Sequence, residues 1–190
     1  MMKAKGSGES VLLLLDVIDV LNRLHVPYAI IGAFAASFYG VIRASVDADA
    51  MISLSSGQAN LETLIEALHT VGLKALQRKG DIGDPIGAVV HVSDRFENQV
   101  DLLLRIRGMA EAAFSRTVEA EFMQARVRVI GVEDFIAMKL FAGSPKDIED
   151  AAGVLRVSSN RIRSSLLKDL VQPYGKDAVR KLQSLLRETR

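Results

Sequence analysis

The chain contains no cysteine, which excludes disulfide scaffolds, cysteine-ligated zinc and thiol chemistry. Its three histidines, His25, His69 and His91, are scattered and make no His-Glu-x-x-His pair. Long apolar runs are missing too. Residues 11–15 are apolar, but Asp16 and Asp19 interrupt the run before it becomes a secretory core. The longest uncharged stretch, residues 26–42, contains Pro27, Gly32, Ser37 and Gly40 and falls short of the ~20 residues of a membrane span. It reads as buried strand, turn and helix. A cytoplasmic protein without a membrane partner is expected. The formal charge of +1 excludes a chain that binds polyanions over its whole surface. There is no internal repeat and no low-complexity segment.

What is present is enough for a core. The chain has 190 residues, 49% apolar and 25% charged, which suits one domain or a domain with a helical appendage. Ser10 is a candidate N-cap for a helix whose face is Val11, Leu14, Leu15, Ile18, Leu21 and Leu24, with Asp16, Asp19 and Arg23 off it. After Pro27, residues 28–31 predict a short buried strand. Gly32 turns the chain, and residues 33–39 predict a small-residue helix ending at Gly40. Residues 46–53 predict a strand. Residues 58–71 predict an amphipathic helix with Leu61, Leu64, Ile65 and Leu68 inward, stopped by Gly72.

Further on, residues 86–92 and 99–104 predict strands around a polar turn, and 108–115 a short helix. Residues 117–122 and 127–130 predict a hairpin. From Val132 onward no strand signal remains, and helices fit 132–142, 146–156, 160–171 and 175–188. The expected fold is α/β (α+β), with a mixed-sheet core over 1–131 and a helical part over 132–190. Charge is uneven. Residues 156–190 hold nine Lys/Arg against three Asp/Glu, and residues 1–155 fifteen against twenty. The basic end is either a solvated helical surface or a flank that receives phosphates.

The chemistry centres on Asp47 and Asp49, in Val46-Asp47-Ala48-Asp49-Ala50-Met51-Ile52. In a strand, residues i and i+2 share a face. Two carboxylates on an apolar strand repel, and burial sharpens the conflict. A divalent cation such as Mg²⁺ removes it and keeps sites open for phosphate oxygens. Asp101, in Gln99-Val100-Asp101-Leu102, is a third lone acid at a strand start. If the two strands are neighbours, three carboxylates converge as in a two-metal transfer site. Upstream, Ile31-Gly32-Ala33 follows a buried strand and opens a helix, a turn that aims backbone N–H groups at an anion. Thirteen residues, 34–46, separate Ala33 from Asp47.

These residues resemble the DNA polymerase β-like nucleotidyltransferase superfamily. Its signature is an apolar residue, Gly, Gly or Ser, a gap, and Asp-apolar-Asp/Glu, with a third carboxylate on a later strand. Here that is Ile31-Gly32-Ala33, then Asp47-Ala48-Asp49, then Asp101. Within the superfamily, residues 28–49 look like the minimal nucleotidyltransferases that include AbiEii-type toxins. Those show a small-residue helix ending in Tyr-Gly and then Arg-x-Thr-x-Asp-x-Asp, where this chain has Arg43-Ala-Ser45-Val-Asp47-Ala-Asp49. Asp134 to Ala142, with Lys139, and Lys146-Asp147-Ile-Glu-Asp150 are similar to their later segments. The likeness covers roughly residues 28–155.

The resemblance implies a Mg²⁺-dependent nucleotidyltransferase that moves an NMP from an NTP to a hydroxyl acceptor. The acceptor would be an RNA end, a protein or a small molecule, and an antitoxin is a further partner. Asp47, Asp49 and Asp101 would hold Mg²⁺, with Asp101 a metal ligand or a base. Gly32, Ala33, Arg43, Ser45 and Lys139 would meet the nucleotide, and Asp147 and Asp150 would arrange the site. Two residues depart from the pattern. Ala33 stands where Gly or Ser is usual and offers no side-chain hydrogen bond, and Ser45 replaces Thr. Ala33 thus keeps open a second reading, an idle protein of this fold that binds a nucleotide or a partner. Read without the resemblance, Lys139 is a snorkelling lysine, Arg43 a loop charge, and Asp147 and Asp150 acids of a helix's first turn. The glycine-bearing segment 80–87 predicts a connection between strands. His91 reads as a strand residue rather than a base, and Phe34, Phe38 and Tyr39 as core or pocket wall.

Overall fold

The computed structural model describes residues 3–55, 59–81 and 83–188. Gln58, where the third predicted helix was to begin, and Ile82 of the 80–87 connection lie outside the described residues.

Helix α1 (Ser10–Arg23) buries Leu13, Leu14, Val17, Ile18 and Leu21. It corrects two expectations. Glu9 is the N-cap, without a side-chain cap bond, and Ser10 is the first helical residue. The Ser10 hydroxyl instead accepts the Gln99 N–H at 3.1 Å. Asp16, expected off the buried face, is itself buried, because its carboxylate accepts the Lys3 N–H at 2.8 Å and ties the N-terminal segment down.

The chain then runs through β1 (Tyr28–Ile30), α2 (Gly32–Phe38), β2 (Ala48–Ile52), α3 (Leu61–Thr70), β3 (Lys74–Lys79), β4 (Ile86–Ser93), β5 (Gln99–Ile106), β6 (Val118–Phe122) and β7 (Ala125–Val129). Between β5 and β6 the predicted short helix is a 3₁₀ turn, Glu111–Arg116. In one seven-stranded mixed sheet the order is β3-β4-β5-β2-β1-β7-β6. The pairs β2/β5 and β1/β7 are parallel and the others antiparallel. This is the α/β mixed-sheet class that the pattern implied.

Strand β3 had no counterpart among the expected strands. It is an edge strand on which only Ala75 is buried, so Lys74-Ala-Leu-Gln-Arg-Lys79 shows no apolar alternation. Strand β2 is shorter than predicted and starts at Ala48, which leaves Asp47 in an exposed bend before it. Along β2 and β5, Ala48, Ala50, Val100 and Leu102 are buried in the main core. Asp49 and Asp101, between them in sequence, therefore point to the opposite, more open face.

Four helices follow the sheet: α4 (Val132–Ala142), α5 (Pro145–Val157), α6 (Ser164–Val171) and α7 (Lys176–Glu188), with a 3₁₀ turn at Ser159–Arg161. Helix α4 is central and contacts the other three. It is buried nearly all round, including Glu133, Asp134 and Lys139. Each buried charge has a partner. Arg116 donates two 2.7 Å bonds to Asp134, and Glu133 accepts the Arg163 N–H at 2.9 Å. Gly143, at φ 70°, ends α4 in a left-handed turn. Ser144, with Asp147, then forms a capping box that starts α5, with Pro145 in its first turn. Among the described residues, no helix is long and apolar enough to cross a membrane.

Candidate active site

In the parallel β2/β5 pair, Asp49 and Asp101 are direct register partners. In the antiparallel β4/β5 pair, Asp101 faces His91, and His91 faces Leu76 on β3. Register partners share a face. One row thus crosses four strands: Leu76, His91, Asp101 and Asp49. The His91 side chain is half exposed, and its Nδ1 lies 2.7 Å from Asp101 Oδ1. An ionised carboxylate can only accept, so with Asp101 ionised His91 is the donor through Nδ1–H.

Beyond Asp49 the sheet meets the β1–α2 turn. Ile31 donates its N–H to the Asp49 carbonyl at 3.0 Å. Gly32 has φ +63°, and a Cβ there would sit 2.0 Å from Asp49 Oδ2. Only glycine suits both the left-handed backbone and the contact. This is a close approach of backbone to a carboxylate of the chain itself. Ala33 is buried in the first turn of α2.

The Asp49 carboxyl is pushed up to about 6. Burial is the main cause, followed by repulsion from Asp101 and Asp47, and Lys139 and Arg43 oppose it. Asp47 is thus within electrostatic reach of Asp49 from its bend, although it shares no strand with it. The face-sharing argument for those two residues is corrected by the late start of β2, while the neighbouring-strand argument for Asp49 and Asp101 holds. Among the described residues, no three His, Asp or Glu side chains are already gathered tightly enough to hold a metal ion.

A second cluster lies on the helical side. Lys139 Nζ sits 2.8 Å from Asp147 Oδ1 and 2.8 Å from Asp150 Oδ2. Arg43, in the segment between α2 and β2, donates Nη1–H to the same Asp150 oxygen. Lys139 is 6% exposed and Asp150 3%. Lys139 is therefore a buried, paired cation rather than a snorkelling one, and Arg43 is an anchored residue rather than a loop charge. Burial works to raise the Asp147 carboxyl, but the hydrogen bonds from Lys139 and Ser144 outweigh it and leave it below its usual range. Arg43 Nε is buried and has no hydrogen-bond partner among the described residues. Ser45 is exposed in the same segment, between Arg43 and Asp47.

His91 is a strand residue, as its sequence implies, and is also the hydrogen-bond partner of Asp101. The available signal was the hairpin: centring the β4–β5 turn on Phe96 pairs His91 with Asp101. Phe34 packs edge-on to Phe122 at 5.0 Å, and Tyr39 donates its hydroxyl to the Ile130 carbonyl. Both serve as packing, as expected.

No protein-family model matches the chain, and no curated protein matches its sequence. Solved structures do share its architecture. ANT(2'')-Ia in complex with adenylyl-2''-tobramycin is 15% identical with a TM-score of 0.57, over 85% of this chain and 94% of that one. The solution structure of the same antibiotic-resistance factor is also 15% identical with a TM-score of 0.57, over 93% and 94%. An antigenic nucleotidyltransferase-like protein from Paracoccidioides brasiliensis is 13% identical with a TM-score of 0.59, over 97% and 91%. At these identities the likeness concerns the backbone. The chain has the nucleotidyltransferase fold.

Proposed function

We propose that the chain is a Mg²⁺-dependent nucleotidyltransferase that moves an NMP from an NTP to a hydroxyl acceptor. The observation that carries this reading is the Asp49–Asp101 pair. Two carboxylates lie in register on an open sheet face, one of them under a glycine that leaves it room. An all-oxygen donor set with uncompensated negative charge fits Mg²⁺. Asp47, Asp49 and Asp101 would hold it. When bound, Mg²⁺ supplies charge neutralisation for the triphosphate oxygens.

The protein groups do the rest. The backbone at Gly32 lies beside Asp49, and that of Gly32 and Ala33 would approach a phosphate closely. Arg43, Ser45 and Lys139 supply charge and a hydroxyl around the nucleotide. Asp147 and Asp150 fix where Lys139 and Arg43 stand. Asp101 would activate the acceptor hydroxyl, as a metal ligand or as the base that takes its proton; the hydroxyl oxygen bonds the α-phosphorus, and the bond to the leaving pyrophosphate breaks. Catalysis is then chiefly positioning and electrostatics. The open face continues to exposed Lys74 and Arg78 on β3, which favours a phosphate-bearing acceptor such as an RNA end over a protein or a small cationic molecule. A cytoplasmic toxin of the AbiEii-like kind, restrained by an antitoxin, is the physiological setting this reading suggests.

A second reading has one observation in its favour. Lys139 is already held by two carboxylates and Ala33 offers no hydroxyl, so an idle protein that binds a nucleotide or a partner is the alternative. Incubation with each labelled NTP, Mg²⁺ and total RNA or cell extract decides between them. Label transfer that Asp49→Asn abolishes supports the enzyme. No transfer by the wild type with any NTP overturns it in favour of the idle reading.

A further inference from the structure

The geometry points to His91 as a positioning residue for Asp101: its Nδ1–H holds Asp101 Oδ1 and leaves Oδ2 as the oxygen presented to the reaction centre. The inference rests on the nucleotidyltransferase reading and adds a residue to it. Three observations carry it. His91 and Asp101 are register partners on neighbouring antiparallel strands, so backbone hydrogen bonds fix their separation rather than side-chain chance. The Nδ1–Oδ1 distance is 2.7 Å, within the range of a charge-assisted bond. The Asp101 carboxylate has no other hydrogen-bond partner among the described residues, and its side chain is only one-third exposed.

A carboxylate in this position has two neighbours of opposite effect. Asp49 on β2 repels it, and His91 on β4 draws it the other way. With His91 removed, Asp101 is free to rotate away from Asp49 toward water, and the pair no longer faces a common point. A hydrogen-bond donor on the far side prevents that. This is the relation in which a partner outside the ligand set orients a ligand.

Three variants separate this role from mere packing. His91→Phe keeps a ring and removes the donor. His91→Asn places an amide N–H near the position of Nδ1. His91→Gln places one near Nε2 instead. Mn²⁺ is the probe, titrated calorimetrically into each full-length protein, with NTP turnover measured alongside. We expect His91→Phe to weaken Mn²⁺ binding and lower kcat by about 10- to 100-fold, with the KM for NTP within about 2-fold and the melting temperature unchanged. His91→Asn should recover most of both, and His91→Gln should not. In the metal-free wild type, ¹⁵N spectroscopy of His91 should show the Nδ1–H tautomer.

Wild-type behaviour of His91→Phe, failure of His91→Asn to rescue, or the Nε2–H tautomer would each overturn the role. A wild type that binds no Mn²⁺ overturns the metal-site reading and this role together. A wild type that binds Mn²⁺ but transfers nothing overturns the transferase reading alone, and Mn²⁺ affinity then judges His91.

Discussion

Two charged clusters sit close together in this molecule and are built in opposite ways. On the sheet, Asp49 and Asp101 face each other with a third acid nearby, and repulsion helps push the Asp49 carboxyl to about 6. On the helical side, Arg43, Asp150, Lys139 and Asp147 alternate in sign, and each carboxylate has a cation within a hydrogen bond. The second cluster is the more buried, yet it is electrostatically at rest. The difference separates two uses of charge. A paired network fixes geometry, because breaking it strands a buried ion. A cluster of like charges, only partly exposed and with no Lys or Arg among the described residues bonded to it, stores affinity for a cation from outside.

The largest effect should come from breaking the paired cluster. Asp150→Ala leaves Lys139 and Arg43 without their shared oxygen, and urea unfolding should show a loss of about 3–5 kcal/mol. A loss near zero would mean that the two clusters do not differ as described.

Removing charge from the cluster of acids should do the reverse. Asp49→Asn should abolish transfer and stabilise the fold by about 3 kcal/mol at pH 8. The sign follows from the raised carboxyl. Between the ordinary carboxylate value and about 6, the native state holds a proton that the unfolded state has lost. The stabilising contribution of Asp49 is therefore fully present below about pH 4 and lost as pH rises through 6. Melting curves of the metal-free proteins should coincide below pH 4 and separate above 6. A constant gap at every pH would assign the gain to something other than this charge.

A smaller effect is expected at the boundary between backbone and carboxylate. Gly32→Ala demands a left-handed alanine and places its Cβ on Asp49 Oδ2. Stability should fall by about 1–2 kcal/mol, and transfer should fall with it as the carboxylate is displaced. Unchanged turnover would show that Asp49 has another workable position. The smallest effect belongs to Ala33→Ser, which should leave stability alone and tighten NTP binding by about 1 kcal/mol, one added hydrogen bond. Calorimetry showing weaker binding would mean that the first turn of α2 does not meet phosphate.

The legible parts of this fold are those where one residue contradicts its neighbours. An acid inside an apolar strand marks Asp49 and Asp101 without any knowledge of topology, and Gly32 after a buried strand marks the turn. What stayed hidden depends on register or on partners far away in sequence. Strand β3 is polar because it is an edge with one open face, so periodicity is silent there. Asp16 looks solvated until Lys3 is seen to fold back on it. The late start of β2 takes Asp47 off the strand, and boundaries are what local pattern defines least. His91 gained its meaning only when the β4–β5 register set it against Asp101. Lys139, Asp147 and Asp150 could be placed on helices from their spacing, but not onto Arg43.

The bond between Arg43 and Asp150 spans 107 residues, and this has a consequence in time. A chain made from its N-terminus exposes the sheet acids and the Gly32 turn long before the residues that pin Arg43. During synthesis the segment carrying Arg43, Ser45 and Asp47 therefore hangs from the sheet without its anchor, and Lys139 waits for Asp147 and Asp150. The nascent protein has its carboxylates in place and lacks its ordered cations. The transfer proposed above therefore begins only after helix α5 has left the ribosome and docked.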